Sequence, residues 1–147
     1  MAMSEQQREL MLKKMLNDDE LFLHTILPEH FPGPIPPFHK EILDLINLRK
    51  RKTGIIAPRG HAKTSLISLG YALKRILYRL DRFIILIAES YSQSVLNLES
   101  IKDEIEFNPI IHEYFGKLKQ PDKWSEGEIE TTPGVKIMAK GTRQRIR

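Results

Sequence analysis

The chain has 147 residues, of which 41% are hydrophobic and 29% charged, and these proportions are typical of a globular domain with its own core. It contains no cysteine, which excludes disulfides and cysteine-based zinc sites. The formal net charge of +4 permits contact with nucleic acid without requiring it. The longest apolar run, Phe83 to Ala88, is too short to span a bilayer, and no signal peptide precedes it. We therefore expect a soluble, unexported protein.

Residues 1–37 are predicted to form a helical segment followed by a proline-rich connector. Ser4 to Gln7 has the form of a capping box and predicts the start of a helix. Asn17 to Glu20 carries a second start signal, for a helix that ends near Leu27. The segment Pro28 to Pro37 contains five prolines, which fix φ and remove donors, so it predicts a rigid extended connector.

Residues 38–147 are predicted to form part of a P-loop ATPase domain. A helix is expected from Phe38 to about Arg49, and strands and helices then alternate along the chain. This alternation predicts a doubly wound α/β fold with a parallel sheet flanked by helices, and the phosphate loop described below assigns it to the P-loop NTPase type. The predicted strands are Thr53–Ala57 and Arg82–Glu89, and the predicted helices are Lys63–Arg79 and Ser92–Phe107.

A β-hairpin is predicted near the C-terminus. Its strands are Glu128–Thr131 and Val135–Ala139, and Thr132-Pro133-Gly134 between them suits a type II turn. The sequence stops at Arg147 within a basic stretch and without a closing helix, so we expect an incomplete ATPase domain.

The segment from Ala57 to Thr64 has the context of a phosphate-binding loop, because it follows a predicted strand and opens a predicted helix. Helix N-terminal N–H groups and the helix dipole attract anions. Lys63 would reach the β- and γ-phosphates, and the Thr64 hydroxyl would hold Mg²⁺. Because alanine replaces the usual glycine at Ala57 and Ala62, a plain strand-turn-helix is the alternative. The predicted nucleotide contacts here are Pro58, Arg59, Gly60, His61, Ala62, Lys63, Thr64 and Ser65.

This loop resembles the variant phosphate loop of phage large terminase subunits, which often lacks the first glycine and carries an arginine four residues before the lysine. The resemblance covers nearly the whole chain after Leu21 and implies that Arg59, beside Lys63, assists at the phosphates. The stretch from Lys136 to Arg147 resembles the strand and glycine turn that lead to Ile-Arg in the family. It implies that Arg147 acts as a catalytic arginine finger across subunits. The alternatives are Arg143, Arg145 or a plain basic tail that contacts DNA.

A second segment of the resemblance lies about 24 residues before Lys63. Large terminases and related helicases carry an adenine-contacting segment there, often with a glutamine where His39 stands. The resemblance implies that Phe38 stacks on the base and that His39 bonds to its edge. The alternative is that Phe38 packs into the core.

The resemblance implies an ATP- and Mg²⁺-dependent motor that moves double-stranded DNA into a capsid. Its implied partners are a portal protein, a small terminase subunit and further copies in a homo-oligomeric ring, with no membrane. Its implied location is the host cytoplasm, transiently docked on the procapsid. The catalytic acid pair and the nuclease domain are expected beyond Arg147, so the 147-residue chain is expected to be inactive alone.

Two alternatives remain open. One is another P-loop motor, either helicase-like or recombinase-like, and the other is a non-enzymatic adaptor with a degenerate nucleotide fold, which Ala57 and Ala62 favour. The basic run Arg49–Lys52 is interpreted as a charge cluster at a helix C-terminus rather than as a DNA site.

Overall fold

The computed structural model describes residues 3–55, 64–132 and 134–143. The chain divides into two compact units, unit 1 spanning Met1–Tyr71 and unit 2 spanning Ala72–Arg147. Every helix in the described ranges is too short or too polar to cross a membrane.

Unit 1 is helical, and the start signals read from its sequence are confirmed. The Ser4 hydroxyl accepts from the Gln7 N–H at 3.2 Å while the Gln7 side chain accepts from the Ser4 N–H at 3.0 Å. The Asp18 carboxylate accepts from the Leu21 N–H at 3.1 Å and caps the second helix. The elements are α1 (Glu5–Asn17), α2 (Asp19–Ile26), α3 (Pro37–Asn47) and a π-helix (Thr64–Tyr71).

The proline-rich connector between α2 and α3 is fixed to unit 1 by two buried side chains and a cap of polar contacts. Phe31 and Ile35 insert into the core, where Phe22 and Ile26 of α2 are fully buried. The His24 Nδ1 lies 2.8 Å from the Phe31 carbonyl oxygen, which ties the connector back to α2. The connector therefore packs against unit 1, and it begins with a turn at residues 28–30 where an extended segment was predicted.

The helix predicted over Lys63–Arg79 is present in its described part, with two hydrogen-bonding patterns. The π-helix Thr64–Tyr71 is followed by α4 (Ala72–Leu77), and the chain leaves the helix where Arg79 adopts a φ of 53°. The strand predicted over Thr53–Ala57 does not form in its described residues. Thr53 and Gly54 are exposed, and a glycine without packed neighbours weakens a strand.

Unit 2 is an α/β unit in which a four-stranded mixed sheet is flanked by helices. The strand order is β1-β4-β3-β2, and β1 pairs parallel with β4 while β3 pairs antiparallel with both β4 and β2. A parallel sheet with a C-terminal hairpin was predicted, but the described strands contain only one parallel pair, because short turns join β2 to β3 and β3 to β4. The elements are β1 (Phe83–Ala88), α5 (Tyr91–Phe107), α6 (Pro109–Phe115), β2 (Lys119–Trp124), β3 (Glu128–Thr131) and β4 (Lys136–Gly141).

The predicted C-terminal hairpin is confirmed as β3 and β4. Ile129 of β3 lies opposite Ile137 of β4, and both are fully buried. Gly134 has a φ of 116°, a left-handed value that suits the glycine position of the predicted turn.

Helix α5 covers the parallel pair and is anchored to it by one buried hydrogen bond. The fully buried Ser94 hydroxyl donates to the Lys140 carbonyl oxygen of β4 at 2.6 Å. Leu98, Ile101 and Ile105 follow at helical spacing and are also buried, so α5 packs one continuous face.

The two outer strands of the sheet differ in chemistry. Strand β2 carries Lys119, Pro121 and Lys123, and charge and proline are residue types that discourage pairing with another strand. Strand β1 has neither, and its Phe83 and Ile87 are 48% and 55% exposed. Among the described strands, one edge is therefore protected and the other is open.

The Ser94 anchor predicts a position-specific loss of stability. Ser94→Ala removes the hydrogen bond from the fully buried Ser94 side chain to β4, which contributes about 0.5–1.5 kcal/mol. Ser100 lies on the same helix, where its hydroxyl bonds only to the Leu96 carbonyl at an exposed site. Ser100→Ala should therefore change the free energy of unfolding by less than about 0.5 kcal/mol. Urea denaturation of the two variants measures both values, and equal effects would contradict the anchor.

Tyr78 predicts how unit 2 responds to alkaline pH. Burial, with Tyr114 nearby, raises the pKa of Tyr78 to about 12, and its ring packs edge-on against Phe115 with centroids 5.2 Å apart. Because the unfolded chain ionises at the ordinary phenol pKa of about 10, folding stability is complete below that pH and falls as pH rises through the folded value. Tyr78→Phe should flatten this alkaline loss in denaturation curves, and an unchanged slope would refute the assignment.

Candidate nucleotide-binding site

The predicted phosphate loop lies almost wholly outside the described residues. The structure does not describe residues 56–63, which include Arg59, Gly60 and Lys63. Of the predicted contacts on this loop, only Thr64 and Ser65 are described, so the roles of the others stay predictions. The undescribed predicted residues are Ala57, Pro58, Arg59, Gly60, His61, Ala62 and Lys63.

Thr64 and Ser65 begin a helix, as the loop prediction requires. Thr64 is exposed, Ser65 is half-buried, and the following Leu66 is fully buried and anchors the helix in unit 1. In a π-helix each N–H reaches the carbonyl five residues earlier, so the first five N–H groups find no acceptor within the helix, compared with four in an α-helix. An exposed hydroxyl beside such N–H groups fits the role predicted for Thr64 toward Mg²⁺.

The predicted base-contacting pair starts α3. Pro37 occupies the first turn of the helix, where its missing N–H is not needed. The Phe38 and His39 rings meet edge-on, with centroids 4.3 Å apart and an interplanar angle of 67°. His39 is only 5% exposed and Phe38 is half-buried. Phe38 is therefore the more accessible member of the pair, and His39 forms part of the unit 1 core.

In unit 2, the carboxyl ends of the parallel strands meet the start of α5. The Ser90 hydroxyl accepts from the Gln93 N–H at 3.2 Å, which makes Ser90 the N-cap of α5. A Cβ on Gly141 would lie 2.8 Å from the Tyr91 backbone nitrogen, so only glycine fits there. Open α/β sheets place ligand sites at this edge. No local pattern indicates the close contact between Gly141 and Tyr91, because they are distant along the chain.

The chain stays bonded to the end of β1 directly after β4. The Thr142 N–H donates to the Ala88 carbonyl at 3.1 Å, and the Thr142 hydroxyl donates to the Glu89 carbonyl at 3.3 Å. Arg143 follows and is exposed. Arg145 and Arg147 lie outside the described residues, so the arginine-finger role stays a prediction.

Two cavities lie away from these residues, and sequence reasoning missed both. One, of about 530 Å³, is formed in unit 1 by α2 and the connector. The other, of about 330 Å³, lies over β2 and β3 beside Trp124, whose indole N–H is buried without a hydrogen-bond partner in the described ranges. No group of three or more His, Asp or Glu residues in those ranges is arranged to hold a metal ion.

No protein family, curated protein or solved structure compared with this chain matches it. Its function is therefore inferred from the chemistry of its own residues.

Because Phe38 is accessible, its substitution should weaken binding of the base and leave binding of the phosphates nearly unchanged. Stacking of a base on an aromatic ring contributes about 1–3 kcal/mol, so Phe38→Ala should weaken ATP by tenfold or more while leaving inorganic tripolyphosphate nearly unchanged. Leu45→Ala, at an exposed position on the same helix, is the matched control and should affect neither ligand. If Phe38→Ala weakens both ligands equally, Phe38 is a packing residue only.

Proposed function

We propose that this chain is the nucleotide-binding part of a phage large terminase ATPase, which powers translocation of double-stranded DNA into a capsid. The observation that carries the proposal is the segment Pro58-Arg59-Gly60-His61-Ala62-Lys63-Thr64, directly followed by a helix that begins at Thr64. A lysine and a hydroxyl at a helix N-terminus are the groups that phosphate and its metal require.

The proposed chemistry assigns one task to each group. The Lys63 ammonium binds the β- and γ-phosphates, and the planar Arg59 guanidinium adds a fixed positive charge to the phosphate oxygens. The Thr64 hydroxyl is the ligand offered to Mg²⁺, which when bound neutralises charge on the phosphates. Phe38 stacks on the base.

The fold of unit 2 supports the proposal at a coarser level. Helix α4 is followed by β1, a continuous apolar strand, and α5 begins where β1 ends. This succession and the one parallel pair, β1 with β4, are features that P-loop-type sheets share. The parallel P-loop sheet as a whole remains part of the proposal.

The proposed motor works as a homo-oligomeric ring with a portal protein and a small terminase subunit. In such a ring Arg147 of one subunit would reach the nucleotide of its neighbour. An arginine supplied in trans stabilises charge on the transferring phosphoryl group and contributes about 10³-fold or more to the rate. Hydrolysis would then depend on assembly.

Two other functions share part of this evidence. A helicase-like motor would use the same loop, and DNA unwinding by the intact protein would distinguish it. An adaptor with a degenerate nucleotide fold would explain Ala57 and Ala62, and it predicts that the chain does not bind nucleotide at all.

The proposal predicts a specific dependence on Lys63. Charged hydrogen bonds contribute about 1.5–3 kcal/mol, so Lys63→Ala should weaken MgATP binding by at least about tenfold. Lys50→Ala removes the same charge from a nearby exposed position and should leave the affinity unchanged. Calorimetric titration measures both, with melting temperatures as a check of folding. Equal affinities for the wild type and Lys63→Ala would rule out the loop as the phosphate site, and no binding by the wild type would favour the adaptor.

A further inference from the structure

A single run of four residues accounts for the net charge of the chain. The sequence has 23 basic and 19 acidic residues, and Arg49, Lys50, Arg51 and Lys52 are consecutive. Without these four, 19 basic residues balance 19 acidic ones. These four residues, which we call the basic segment (Arg49–Lys52), form the longest unbroken basic run of the chain.

The position of the basic segment does not suit a role in capping α3. Helix α3 ends at Asn47 with Leu48 as its C-cap, and its last turn contains no basic residue. Favourable interaction of cations with a helix dipole is confined to about the last turn. The interpretation as a helix C-terminal charge cluster is therefore not supported, because the segment begins beyond the helix.

The backbone directs the basic segment outward. Arg49 adopts a φ of 54°, a left-handed conformation that a non-glycine residue adopts at an energetic cost, and its guanidinium donates to the Tyr71 hydroxyl at 3.3 Å. The chain thus turns sharply after α3. Residues 50–52 beyond this turn belong to no helix or strand and are exposed.

Within the described ranges, some cations of the chain are paired with carboxylates, and three residues of the basic segment are not. Lys40, Lys123 and Lys136 lie 3.4, 3.3 and 2.6 Å from carboxylates. In the part of the chain that the structure describes, Lys50, Arg51 and Lys52 have no such ion pair. Adjacent like charges repel one another, so binding of a polyanion would offset the electrostatic repulsion within the segment.

We propose that the basic segment binds the phosphate backbone of double-stranded DNA independently of base sequence. Duplex DNA presents one negative charge per about 1.7 Å of its axis, so several phosphates lie within reach of these consecutive cations. The segment contains no aromatic side chain to stack on an unpaired base. This inference names the DNA-contacting surface of the proposed motor and rests on that function for its role, although the charge argument does not use the nucleotide site.

A membrane surface fits the same residues less well. An anionic bilayer is a plane that would also approach the exposed face of α3, where Glu41 and Asp44 are exposed and would be repelled. The narrower contact of a duplex with the basic segment avoids these acids. We therefore assign the segment to DNA and treat lipid binding as an outcome that would contradict the assignment.

The test is the salt dependence of binding to a fluorescent duplex of random sequence. Each phosphate contact contributes about 0.9 to the slope of log affinity against log salt. The triple variant K50Q/R51Q/K52Q should therefore lose about 3 units of slope, and each single variant about 1. The matched control K13Q/K14Q/K117Q removes the same charge from three exposed lysines elsewhere and should retain the wild-type slope.

Four results would overturn the inference. These are no DNA binding by the wild type at low salt, an unchanged slope in the triple variant, an equal loss in the control, or binding to vesicles of phosphatidylcholine and phosphatidylserine in place of DNA. Single variants at exposed positions keep the result interpretable if the triple variant folds poorly.

The same variants distinguish failure of the proposed nucleotide site from failure of the DNA assignment. K63A should retain the DNA slope, and the triple variant should retain MgATP affinity. DNA binding as expected without nucleotide binding would leave the basic segment assigned and refute the ATPase. Nucleotide binding with unchanged DNA slopes in all variants would support the nucleotide site and refute the assignment of the basic segment to DNA.

Discussion

The parallel pairing of β1 with β4 is the contact on which the architecture of unit 2 depends. Parallel strands cannot be joined by a tight turn, so the chain must leave the sheet after β1 and return by a long route. Helix α5 provides the first part of that return and lies on the pair, where Ser94 bonds to the Lys140 carbonyl. Gly141 allows the end of β4 to approach the start of α5, because a side chain there would collide with the Tyr91 backbone. The remaining strands extend from β4 by short turns.

Elements with a strong local signal could be predicted from the sequence. The apolar run of β1, the caps at Ser4, Asp18 and Ser90, and the turn at Gly134 each depend on residues close together in the chain. Strand β2 was missed because its residues are mostly polar and include Pro121, and its pairing with β3 is set by the sheet. The order of the strands likewise depends on contacts such as that between Ser94 and Lys140, which no local pattern contains.

At the candidate site too, the local features could be predicted from the sequence and the features set by the fold could not. A phosphate loop is a local motif, so Lys63 and Thr64 could be selected from sequence, and the helix beginning at Thr64 agrees with that selection. The burial of His39 also had a signal, because His39 precedes Ile42 and Leu43 at the three- and four-residue spacing of a helical core face. The lack of an ion pair at Lys50, Arg51 and Lys52 among the described residues had none, since it depends on where the fold places carboxylates.

The unequal edges of the sheet limit what strand addition can build. A protein whose two edges are both open can add copies without end, which is how fibres form. Here β2 carries lysines and a proline, while β1 exposes apolar side chains and no charge. Two copies that met through β1 would present β2 on both outer sides, so growth by this route stops at a pair. Among the described strands, β1 can thus pair with one further copy, whereas β2 discourages growth into a fibre.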